Sequence, residues 1–134
     1  MPIFWTDRFA PYALAALRVF AGLLFFGHGL IKLFGFPGGA SPGAQSLTSL
    51  LGAGAVIETV GGALIILGLF TRPTAFILAG EMAVAYFLFH APKNFFPSLN
   101  GGEEAILFTF IFLYLSTSGP GALSLDGARI QNRR

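Results

Sequence analysis

Arg18, Glu58 and Glu81 each lie inside a long apolar run, roughly a third to half of the way along it. A charge near the middle of a bilayer costs at least ~2.5 kcal/mol on insertion scales, so it is expected to face a partner or a wet cavity. One cation and two carboxylates at similar depth predict a buried polar network able to hold or relay protons. One arginine cannot neutralise two buried acids, so one of them should carry a proton or reach water. His28, Lys32, His90, Lys93, Asn100, Glu103 and Glu104 form a second polar cluster nearer one membrane face. His28 and Lys32 are four residues apart, so both side chains share a helix face one turn apart, which suits donation to a single polar head group. An imidazole there could also give or take a proton near neutral pH.

Each feature has a structural counterpart. Arg18 with one acid could be an ion pair fixing helix register, and Lys32 and Lys93 could snorkel to the interface. Asn100-Gly101-Gly102-Glu103 matches a capping box, with Asn100 as N-cap and Glu103 at N3. Two histidines make no convincing metal site, even with the outer carboxylates nearby. The glycines form no phosphate loop, and without cysteine there is no disulfide or thiol chemistry.

The elements that carry these residues are membrane helices. The chain is 54% hydrophobic and 10% charged, with 16 phenylalanines in 134 residues. A soluble domain this small buries only about two thirds of the surface it exposes when unfolded, too little to hide so much apolar area. Spans are read at about 11–33, 49–70, 73–91 and 103–118, in one domain with no evident repeat. The first is longer than a signal-peptide core and lacks a small-x-small cleavage site, so it reads as a retained helix. Residues 35–48 are an uncharged Gly/Pro/Ser-rich connection, 71–73 a tight turn and 92–102 a polar-aromatic loop.

Arg8, Arg72, Arg129, Arg133 and Arg134 flank the termini and the second connection, so the positive-inside rule places both termini in the cytoplasm. This basic excess reads as topological charge, with no nucleic-acid footprint. Ala15, Arg18, Gly22, Phe25, Gly29 and Lys32 follow one helical stripe, and Gly54, Glu58, Gly61 and Gly68 another. Such small-residue faces let membrane helices approach closely. His90 falls opposite Glu81 on an ideal helix, and Pro92 is expected to unwind the backbone there.

The segments LRVFAGLLFFGHGLIKLFG (17–35), IETVGGALIILGLFTR (57–72), GEMAVAYFLFHAPKNFFPSLNGGE (80–103) and SLD (124–126) together resemble the DoxX family of small bacterial membrane proteins. The family's polar positions carry onto Arg18, His28, Lys32, Glu58, Arg72, Glu81, His90, Asn100 and Glu103. The resemblance implies an all-α, integral membrane four-helix transmembrane bundle in the bacterial inner membrane. It also implies quinone-linked redox chemistry, because related proteins form the membrane subunit of a thiosulfate:quinone oxidoreductase. No haem, flavin or iron–sulfur site is recognisable, so a separate soluble or membrane oxidoreductase partner would supply electrons. On this reading His28, Lys32, His90, Asn100 and Glu103 contact the ligand, and Phe25 and Phe26 wall the pocket. The alternatives are a small-molecule permease, which would need a homo-oligomer to form a pathway, and a non-catalytic membrane anchor or assembly factor.

Overall fold

The computed structural model describes residues 4–38 and 45–134; residues 39–44 of the 35–48 connection lie outside the described residues. A 3-10 turn, Asp7–Phe9, leads into α1 (Ala10–Phe34), followed by α2 (Leu50–Leu67) and α3 (Thr71–Ala85). A π turn, Tyr86–His90, extends α3, and α4 (Pro97–Asn100), α5 (Glu103–Ser118) and α6 (Leu125–Gln131) complete the chain. Local chemistry explains the boundaries. Pro11 opens α1 and left-handed Gly35 ends it, while the Ser49 side chain caps α2 by accepting from Gly52 N.

Three helical stretches are long and apolar enough to cross a membrane: Asp7–Phe34, Leu50–Leu67 and Thr71–His90. The fourth, α5, has 16 residues. At ~1.5 Å per residue it covers ~24 Å, short of the ~30 Å hydrocarbon core. It packs on α3 as α1 packs on α2, and the two pairs make a four-helix membrane bundle. The outer faces are apolar: Phe20, Leu24, Phe76 and Phe110 are each more than 60% exposed, which suits lipid contact. The core is aromatic. Phe25, Phe108 and Phe112 meet with ring centroids 4.9–5.7 Å apart, among buried Ile65, Leu78 and Leu115.

Glycines set the register of α1 on α2. A Cβ on Gly29 would stand 2.7 Å from Thr59 N, and one on Gly62 would stand 2.9 Å from Phe26 Cα. The backbones therefore touch where residue 29 passes 59 and residue 26 passes 62. Continued along both helices, the same register brings Arg18 to the far end of α2, beyond Leu67.

That placement overturns the expected pairing of Arg18 with Glu58 or Glu81. Arg18 is 1% exposed, and its guanidinium donates to backbone carbonyls after α5. Nη1 donates to Pro120 O and, at 3.2 Å, to Ala122 O; Nη2 donates to Leu123 O at 2.9 Å. The physical reason is depth. Arg18 lies fourteen residues, or ~21 Å of rise, from Lys32 on the same helix, and Lys32 is the residue that reaches Glu58.

The segment after α5 is stitched down around this arginine. Ala122 N donates to Pro11 O at 3.0 Å, and Asp126 N donates to Gly68 O at 2.9 Å. Ser124 caps α6 by accepting from Gly127 N, and the Asp126 carboxylate accepts from Phe70 N and Thr71 N, each at 2.9 Å. The Ser124-Leu125-Asp126 sequence thus caps its own helix and the start of α3. Arg72 closes the end of α5, donating to the carbonyls of Ser116, Thr117 and Ser118.

Burial alone would push the Asp126 carboxyl up, but the N–H bonds from Thr71 and Phe70, with Arg129 nearby, hold it below the ordinary aspartate range. Its stabilisation is therefore complete above the unfolded value of ~3.9 and is lost as pH falls through the lower folded value. Asp126→Ala should cost about 0.5–2 kcal/mol, as for losing a helix cap, and should remove that acid-side loss. Arg18→Met should destabilise the bundle by about 1–3 kcal/mol for each buried carbonyl left without a donor. Adding Glu58→Gln should give no relief, because the two side chains do not meet. Unfolding titrations in mild detergent read both effects; a Glu58→Gln rescue would contradict this placement of Arg18.

Candidate functional site

A cavity of about 550 Å³ lies between α1, α2, α3 and the start of α5, at the end of the bundle away from the termini. His28, Lys32, Glu58, Glu81, His90, Lys93 and Glu104 all line it, among apolar residues such as Phe25, Ile57, Met82 and Phe108. The deeper carboxylates and the outer cluster, read from the sequence as two layers, share this one cavity.

At its wall Lys32 Nζ donates to Glu58 Oε1 at 2.7 Å. The Glu58 side chain is 3% exposed and that of Lys32 25%, so the pair is held largely away from solvent. Glycine makes room for the second acid: a Cβ on Gly54 would stand 3.2 Å from Glu81 Oε1. Glu58 Oε2 and Glu81 Oε2 are buried acceptors with no hydrogen-bond partner. One ammonium thus pairs with one of two neighbouring carboxylates, and acceptor capacity is left over.

The outer half-exposed wall carries a second contact. His28 Nε2 and Glu104 Oε1 stand 2.6 Å apart, and the His28 ring meets the Phe108 ring edge-on. Glu104, one residue beyond the expected Glu103, supplies this acid. Glu103 is exposed and does not line the cavity. The cause is the position of the helix start: the N-cap is Gly102, so Glu103 is the first helical residue rather than N3.

Asn100 also differs from its expected role at the ligand. It is 3% exposed and absent from the cavity wall. Its Nδ2 donates to Tyr86 Oη and Asn94 O, and its Oδ1 accepts from Gly102 N at 2.7 Å. Asn100 therefore holds the 92–102 loop in shape. Its own carbonyl faces His90 Nδ1 at 3.2 Å. When neutral, an imidazole that donates through Nδ1 keeps its lone pair on Nε2.

His90 reaches the cavity through the π turn, not through unwinding at Pro92. Ala91 N donates to Tyr86 O at 2.9 Å, a bond spanning five residues instead of four. The wider turn rotates the following side chains relative to Glu81, which brings His90 onto the same wall. Of the two expected pocket phenylalanines, Phe25 lines the cavity, whereas Phe26 packs over Gly62. Lys93, Gly54 and Glu104 complete the site. Lys93 and Glu104 belong to the outer polar cluster read from the sequence, and Gly54 to the seven-residue glycine spacing it shares with Gly61 and Gly68.

The comparisons with known proteins agree with a membrane bundle. The sequence profile of the DoxX family matches residues 13–91. A Haemophilus influenzae protein described as uncharacterized is 49% identical, with 90% of this chain and 92% of that protein covered. Two Escherichia coli proteins, named inner membrane protein YqjF and inner membrane protein YphA, are each 30% identical. Both alignments cover 87% of this chain, and 90% and 89% of the relatives respectively. No solved structure is a significant match.

The Lys32–Glu58 pair supports a double-mutant cycle. Lys32→Met strands a buried carboxylate and should cost about 3–5 kcal/mol, whereas Lys32→Met with Glu58→Gln should recover most of that loss. A double-variant loss equal to the sum of the two single-variant losses, measured by unfolding in detergent, would show the two side chains to be independent.

Proposed function

The chain belongs to the DoxX family, and on that footing we propose that its cavity receives the head group of a quinone or a similar small apolar carrier. The observation that carries this reading is one largely apolar cavity with two lysines, two histidines and three carboxylates on its wall. Its volume of about 550 Å³ falls in the ~300–1,000 Å³ range of small-molecule sites. The donor set suits the ligand. Quinone carbonyl oxygens need donors, which Lys32 and the two imidazoles supply, and the hydroxyls of the reduced form would find acceptors among the carboxylates of the cavity wall.

Bound there, a quinone would accept electrons and protons. The chain's own part is to hold the head group, exclude bulk water with Phe25, Met82 and Phe108, and keep exchangeable protons at Lys32, Glu58 and Glu81. His28 and Glu104, at the outer wall, link that interior to the surface. A separate oxidoreductase would deliver the electrons, since among the described residues no redox-active side chain lines the cavity.

We also place the protein in the inner membrane, as two relatives are named, with the arginine-rich end cytoplasmic. All six arginines lie at or near the end that carries the termini, with both aspartates, while both lysines, both histidines and all four glutamates lie in the other half. The positive-inside rule then places both termini in the cytoplasm.

Two measurements test the reading. A short-chain quinone titrated into protein in lipid nanodiscs should bind wild type, and His28→Phe should weaken it about tenfold, or ~1.4 kcal/mol. Failure of wild type to bind, or equal binding by both, rejects the quinone site. Single cysteines at Asn94 and Gln131 should label from opposite sides of the membrane; labelling from one side rejects the topology.

A further inference from the structure

At the arginine-rich end a second hollow, of about 390 Å³, runs between the α2–α3 turn and α6. Arg72, Arg129 and Arg133 line it with Phe70, Ile130 and a single acid, Asp126. We propose that this groove holds the phosphate of an anionic phospholipid, with the acyl chains passing over Phe70 and Ile130. Three guanidinium groups face one carboxylate, and that carboxylate is already engaged by Phe70 N and Thr71 N. The partners of Arg72 are neutral carbonyls of α5, so its charge is fixed in place without being cancelled. The Arg129 guanidinium lies 5.0 Å over the Phe70 ring, which holds it at the groove wall.

A planar guanidinium matches phosphate through paired N–H donors, and basic pockets between membrane helices suit anionic head groups. Position selects the source of the phosphate. The groove is lined by Phe70 and Thr71, where the membrane-crossing stretch Thr71–His90 begins, so it lies at head-group level. Phe70 and Ile130 are 51% and 59% exposed, apolar surface that an acyl chain covers and free phosphate does not. The membrane leaflet on the side of the termini supplies such a lipid at high local concentration.

The test measures lipid retention by the purified full chain in detergent, using native mass spectrometry. The probes are dioleoyl phosphatidylglycerol, dioleoyl phosphatidylcholine and inorganic phosphate. Wild type should prefer phosphatidylglycerol, and Arg129→Gln and Arg133→Gln should each lower that preference about fivefold, the scale of one basic residue at a membrane surface. Arg133 sits in the exposed last turn of the chain, so its variant tests the groove without disturbing the bundle. Arg8→Gln removes an equal charge outside the groove and should leave the preference unchanged. Equal retention of the two lipids overturns the proposal, as does an Arg8→Gln effect matching that of Arg133→Gln. Displacement of the lipid by millimolar phosphate would reassign the groove to a free anion.

Discussion

Backbone contact between α1 and α2, permitted by Gly29 and Gly62, decides which buried charges can meet. Two helices in direct contact have little freedom to slide, because any shift drives a side chain into the space a glycine leaves open. With residue 29 against 59, Lys32 lies beside Glu58 and Arg18 lies beyond the end of α2. Both charges then find partners at their own depth: Lys32 a carboxylate, and Arg18 a ring of carbonyls. Moving the contact by one turn would leave both without them, so the polar chemistry at each end of the bundle rests on two missing side chains.

The two ends divide the labour by residue type. Arginine holds its charge at any physiological pH and offers five donors in a rigid fork, and here it binds backbone carbonyls that lack partners. Arg18 and Arg72 thereby seal the bundle where the termini return. Lysine, histidine and glutamate can change protonation state, and these are the types that surround the large cavity. The fixed charges serve architecture; the exchangeable ones border a space where a ligand fits.

Much of this was legible in the amino-acid sequence. Hydropathy defined the membrane class and the helices, and the α1 stripe through Gly22 and Gly29 marked the α1–α2 seam. Gly54 and Gly61 of the α2 stripe instead face Glu81 and Leu78 of α3, and the seam's own Gly62 lies off that stripe. The four-residue step from His28 to Lys32 put both on the cavity wall. Depth was harder, because counting residues from presumed helix ends ignores relative shifts of neighbouring helices. That counting pairs Arg18 with Glu58 or Glu81. Asn100 and Glu103 went astray for a local reason: the capping pattern assumed that α5 starts at Asn100, whereas α4 and left-handed Gly101 intervene. The role of Asp126 had no periodic signal at all, since its partners are main-chain groups far away in the chain.

The π turn at Tyr86–His90 makes one wall of the cavity depend on helix winding as much as on residue identity. Such a turn amounts to an α-helix carrying one surplus residue. Winding the same five residues as ordinary α-helix would turn everything downstream by most of the ~100° that each residue adds at 3.6 residues per turn. His90 would leave the wall, and the loop held by Asn100 would be redirected with it. A single-codon deletion in the turn would instead leave the downstream wall in place. Loss of the π turn at constant length is therefore what would change the chemistry around the cavity while every side chain named here remained in the gene, a route to divergence among related proteins that residue-by-residue comparison would overlook.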